Sequence, residues 1–209
     1  MLRMIETRAL ANTMTQHLRF FAAIALACSC CAAQAADAKL APACLISATS
    51  MGPIHLGMSL HQAKQAFPGA HFERSSDGDG AALVAVKVSK EELLILSAGE
   101  ENSDAPIDWR KKINYIETFN PLCQTADGVA PGVLVKTVEK IFGKVKQITQ
   151  SEIESREYIE FSKQPSYLGF RLDYTGIFAN DAHRTRRFAP DGKIFSVTIA
   201  SESAPPATP

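Results

Sequence analysis

Two stretches of the chain carry the same spacing of apolar positions. In GPIHLGMSLHQAKQAFPG, residues 52–69, and in DGVAPGVLVKTVEKIFGK, residues 127–144, apolar side chains recur at steps of three or four. That spacing predicts a short helix with one buried stripe in each. An offset of 75 residues places Ile54 on Val129, Gly57 on Gly132, Leu60 on Val135, Ala63 on Val138, Ala66 on Ile141 and Phe67 on Phe142. In the first stretch Ser59 and Gln62 have the spacing of a capping box, and Pro68 and Gly69 stop the helix. In the second, Gly132 marks the entry and Gly143 the exit, where glycine accepts a left-handed backbone at no steric cost.

The same offset relates segments with strand character. LVAVKV at 83–88 falls near YIEFSK at 158–163, and LLILSAG at 93–99 falls on LGFRLDY at 168–174. In the last, Leu168, Phe170, Leu172 and Tyr174 point one way while Gly169, Arg171 and Asp173 point the other. A third strand, KINYIETF at 112–119, corresponds to KIFSVTIA at 193–200, and PDG at 190–192 predicts a turn with residues 184–189 as the other hairpin arm. The pattern predicts an internal duplication and an α+β fold. Two tandem helix-plus-three-strand repeats, 36–121 and 122–201, would form one mostly antiparallel sheet with both helices on one face. SSDGDG at 75–80 and EENSDAPID at 100–108 are polar loops, and the Pro-rich tail at 202–209 is expected to be disordered.

The amino-terminal region changes the picture of where the protein works. Arg19 precedes FFAAIALACSCCAA at 20–33, followed by AQA, which has the pattern of a signal peptide covering residues 1–35, with Met1 or Met14 as the start. A short buried helix is one alternative. A lipoprotein signal acylated at Cys28, Cys30 or Cys31 is another, giving a membrane-anchored protein rather than a periplasmic or secreted one. The apolar run is too short for an ordinary membrane span, so no transmembrane segment is expected after leader removal. Removal would leave 19 basic and 21 acidic residues, a net charge of −2. No strong field then calls for nucleic acid or an anionic membrane. Two cysteines remain, Cys44 and Cys123, an even pair in an exported chain, so a disulfide is expected, with two free buried thiols as the alternative. Each lies in the lead-in to a predicted helix.

The stretch LGMSLHQAKQAF, residues 56–67, resembles the helix start of small α+β domains in bacterial envelope proteins. These include the small lipoprotein of the outer-membrane assembly machinery and the tandem-repeat beta-lactamase inhibitory proteins. The tandem arrangement is more similar to the inhibitory proteins, and that resemblance implies a concave sheet that grips another protein. It transfers no inhibitory or assembly residue position by position.

Candidate chemistry is sparse. His55, His61, His71 and His183 lack zinc-finger or HExxH spacing, so no metal is expected. No GxSxG elbow, convincing Ser-x-x-Lys helix or phosphate loop is present, and DGDG at 77–80 reads as a turn. Glu152, Glu154, Glu157 and Glu160 read as a solvated strand face. The basic run HRTRR at 183–187, with Arg184, Arg186 and Arg187, has the chemistry to contact an acidic partner, a phosphate headgroup or peptidoglycan carboxylates, or simply to protect a sheet edge as a charged hairpin arm. Trp109 beside RKK at 110–112 is a second candidate contact. The sequence therefore points to an exported, non-enzymatic binding protein without cofactor. Its partner would be another envelope protein, in an inhibitor-like or assembly-accessory role. The alternatives are an envelope hydrolase or transferase with an unrecognised site, and a carrier of a small apolar ligand.

Overall fold

The computed structural model describes residues 44–77, 80–152 and 155–201. The expected leader, the alternative lipid-attachment cysteines and the tail at 202–209 lie outside these residues. The strands of the first half are β1 (Cys44–Ile46), β2 (Ser50–Met51), β3 (Ile54–His55), β4 (His71–Ser76), β5 (Ala82–Val88), β6 (Glu91–Glu100) and β7 (Tyr115–Thr118), with helix α1 (Leu60–Ala66) between β3 and β4. The second half holds β8 (Cys123–Thr125), α2 (Val135–Phe142), β9 (Val145–Gln150), β10 (Glu157–Phe161), β11 (Leu168–Leu172), β12 (Arg184–Thr185) and β13 (Ile194–Ala200).

The expected α+β architecture of helix-plus-three-strand repeats does not form. The protein is mostly β. Nine strands make one antiparallel sheet in the order β12-β9-β10-β11-β13-β7-β6-β5-β4, and a separate four-stranded sheet runs β3-β2-β1-β8. The physical reason lies in what the polar and irregular segments do. The two helices span 7 and 8 residues, only about two turns each, and leave the strands to dominate. HFERSS at 71–76 and VKQITQ at 145–150 were not expected as strands, yet they form β4 and β9. The helix lead-ins at 44–55 and 123–125 were expected as connections and instead build the second sheet. The expected hairpin across PDG also fails: β12 pairs with β9, and β13 lies between β11 and β7.

Local signals did set the start of α1 and the end of α2. Ser59 Oγ accepts from Gln62 N at 3.1 Å, and Gln62 Oε1 accepts from Ser59 N at 2.9 Å, closing the capping box. Gly143 ends α2 with φ of 77°, a conformation that favours glycine, and a Cβ there would crowd the Ser162 side chain. Leu60 and Ala63 of α1 and Val135, Val138 and Phe142 of α2 join a single buried cluster with Ile116, Phe170, Val197 and Ile199 of the large sheet.

In the small sheet β1 and β8 run parallel with Cys44 directly opposite Cys123. The two form a disulfide with Cα atoms 4.4 Å apart, and both residues are buried. A buried disulfide fits a protein exported to an oxidising compartment. Among the described residues no helix is long and apolar enough to cross a membrane.

One turn is built against its residue types. Ser89 and Lys90 connect β5 to β6 with φ of 52° and 75°, the double positive φ of a type I′ hairpin. Neither residue is glycine, and left-handed backbone costs about 1–2 kcal/mol per side-chain-bearing residue. Lys90→Gly is therefore expected to raise stability by about 1 kcal/mol, read as a higher denaturant midpoint with an unchanged slope. A lowered midpoint would show that the Lys90 side chain contributes more than its strained backbone costs.

Candidate functional site

Strands β7 and β11 end, and β13 begins, at the same side of the large sheet, because β13 is antiparallel to both. The chain segments leaving there enclose a groove of about 520 Å³. It is lined by Phe119 and Pro121 after β7, Pro131 and Gly132 before α2, Asp173 and Thr175 after β11, and residues 191–195 apart from Gly192.

Each wall is fixed by backbone geometry. Gly132 N donates to Ile194 O at 2.8 Å and Ile194 N to Val133 O at 2.9 Å, tying the approach to α2 onto the start of β13. Asn120 holds the opposite wall: its side-chain oxygen accepts from Leu122 N at 3.0 Å, and its carbonyl accepts from Cys123 N at 3.0 Å. The disulfide thus lies two residues beyond Pro121, at the foot of that wall.

The third wall rests on a buried carboxylate. Glu157, on β10, accepts hydrogen bonds on Oε2 from Thr175 N and Gly176 N, each at 2.9 Å. This clamp fixes the chain just after Tyr174, which stands between two lining residues with φ of 51° and is 67% exposed. The strand expected through residue 174 ends instead at Leu172. Tyr174, expected among the inward side chains of that strand, therefore stands in solvent at the groove rim.

Beneath the aromatic side of the groove lies a charged network. Phe119 and Phe195 meet edge to face at 5.1 Å, and the Arg171 guanidinium lies 5.9 Å and 5.4 Å from their ring centroids. Arg171 Nη1 donates to Glu117 Oε1 at 3.1 Å, Ser196 Oγ donates to the same oxygen at 2.5 Å, and Tyr115 Oη donates to Glu117 Oε2 at 3.0 Å. Burial, helped by the neighbouring Glu117 charge, pushes the Tyr115 hydroxyl well above its usual pKa. Arg171 Nε is buried without a hydrogen-bond partner in the described structure.

The residues singled out from sequence fall elsewhere. Arg184 and Thr185 form β12, one edge of the large sheet. Arg186 Nε donates to Lys146 O at 2.9 Å, and Arg187 O accepts from Ile177 N at 2.9 Å. Trp109 belongs to the other edge: its ring tilts against Phe72 of β4 at 6.3 Å and lies under Lys64 Nζ at 4.6 Å. The two candidates therefore occupy opposite edges and form no common surface within the sheet order. His61 meets Gln65, His71 lies near Glu73 and His183 near Glu152, so the three histidines are dispersed. Among the acidic run, Glu157 is not a solvated strand residue but the buried clamp described above.

No protein-family model matches the chain. No curated protein matches it either. Among solved structures it is similar to the uncharacterized protein yfeY from Escherichia coli, at 11% identity over 75% of this chain and 99% of that one, with a TM-score of 0.49.

Proposed function

We propose that this chain is an exported, non-enzymatic protein that binds another envelope protein through the groove at the ends of β7 and β11. One observation carries the reading. Leu122, Tyr174 and Phe195 are 60%, 67% and 38% exposed, and all three lie in or directly beside the segments lining a single concavity. Scattered exposed apolar residues are ordinary, whereas apolar and aromatic residues gathered at one concave place mark contact surfaces.

Two features support binding over catalysis. The buried carboxylates beside the groove are already engaged, Glu117 by Ser196, Tyr115 and Arg171, and Glu157 by two backbone N–H groups. The rim also displays a tyrosine in a costly backbone conformation, and such outliers persist where surrounding structure holds them for use. The resemblance of residues 56–67 to small envelope domains supports an inhibitor-like or assembly-accessory setting.

The test is site-specific photocrosslinking in cells of the source organism. A benzophenone amino acid replaces Tyr174 or Leu122 at the groove, or Lys111 as an exposed control. A discrete protein adduct is expected from the two groove positions, absent from Lys111 and abolished by Phe195→Asp. Equal adducts from all three positions, or none from the groove, would remove the proposal.

A further inference from the structure

Resting on the groove as a protein-binding surface, we infer that it selects a basic side chain, arginine or lysine, carried on an extended segment of the partner. Three independent observations converge on that chemistry.

Charge is the first. Asp173 and Asp191 are exposed lining residues, and neither has an ion pair or side-chain hydrogen bond in the described structure. Among the described residues Lys193 is the only basic one in the lining, and the neighbouring Arg171 is already neutralised by Glu117. The groove therefore carries an acidic excess that a basic ligand group would balance.

Ring geometry is the second. Phe119 and Phe195 already hold one guanidinium, Arg171, within 5.9 Å and 5.4 Å of their centroids. A ring face carries partial negative charge that attracts a cation, and Phe195, 38% exposed, presents its ring to the groove.

Size and presentation are the third. About 520 Å³ suits a few side chains of an extended chain rather than a folded surface. The Glu157 clamp fixes the backbone just after Tyr174, so an exposed aromatic stands next to Asp173, a pairing that suits the aliphatic stem and charged head of arginine or lysine.

The experiment is selection of a phage-displayed random decapeptide library on the full chain with its disulfide intact. Enriched peptides are then measured by fluorescence polarisation against the unaltered chain and against Asp173→Asn, Asp191→Asn and Phe195→Ala, each first shown to melt like the parent. The expected peptides share an arginine or lysine. Either asparagine change should weaken them roughly threefold to tenfold, consistent with exposed cation contacts of about 1 kcal/mol, and added salt should weaken them further. Peptides that need Phe195 but carry no basic residue, or ignore both asparagine changes, would overturn the basic-segment inference and leave the binding groove standing. Peptides indifferent to Phe195→Ala, or no enrichment at all, would overturn both.

Discussion

Breaking the Cys44–Cys123 bond is expected to cost about 4.5 kcal/mol of stability. The bond closes a loop with a sequence separation of 79, and the chain-entropy relation for a loop of that length gives this value. For a domain of this size the loss corresponds to a fall in melting temperature of roughly 9–18 °C. Native protein should resist reductant, because Cys44 and Cys123 are both buried. Reduction should proceed once denaturant exposes them. Cys44→Ala with Cys123→Ala is expected to reproduce the loss, measured by thermal unfolding with circular dichroism. The same change should reach the groove, since Cys123 N donates to Asn120 O and Asn120 orders Leu122. Adducts from a crosslinker at Leu122 should weaken in the double variant, while Tyr174, held separately by Glu157, retains its own. A melting temperature unmoved by removal of the bond would show that the parallel β1–β8 pairing is held without it.

What was legible in the sequence follows the range over which each signal acts. The capping box of α1 involves residues three apart, and its two hydrogen bonds form as the residue types demand. Strands with an inward apolar series, such as β11 and β13, were visible because alternation is a property of a few consecutive residues. The edge strand β4 was hidden. In β4 only Phe72 is buried, since an edge strand of charged and polar residues has little apolar face to betray it. The strands of the small sheet, two or three residues each, are shorter than any period that could reveal them. Tyr174 shows the opposite failure: alternation continued in the sequence beyond Leu172, but Glu157 captured the next backbone N–H groups and turned the chain away. The groove could not be read at all, because its lining comes from segments near 119, 131, 173 and 193 that only the β7–β13–β11 order brings together. A partial signal did exist in Glu117 and Arg171, charged residues placed within otherwise apolar strands.

Those two residues carry the second large expected effect. Glu117→Ala should cost about 3–5 kcal/mol, the usual consequence of leaving one member of a buried ion pair alone. Glu117 is 7% exposed and the Arg171 side chain 16%, so water can replace little of what is lost. The change would also strand the hydroxyls of Ser196 and Tyr115, both of which donate to the Glu117 carboxylate. Removing both charges is a different experiment. Glu117→Leu with Arg171→Met leaves no unpaired ion and keeps apolar volume beneath Phe119 and Phe195, so most of the loss should be recovered. The pair is measured by urea unfolding of the two single variants and the double. Single losses that simply add would show that the charges are independently solvated. Tyr115 gives a second readout. Its folded pKa is raised above the unfolded value of about 10. Its contribution is therefore fully present below pH 10 and lost as pH climbs from there toward the folded value. Tyr115→Phe should flatten that alkaline decline. An alkaline decline unchanged by Tyr115→Phe would place its origin in other groups.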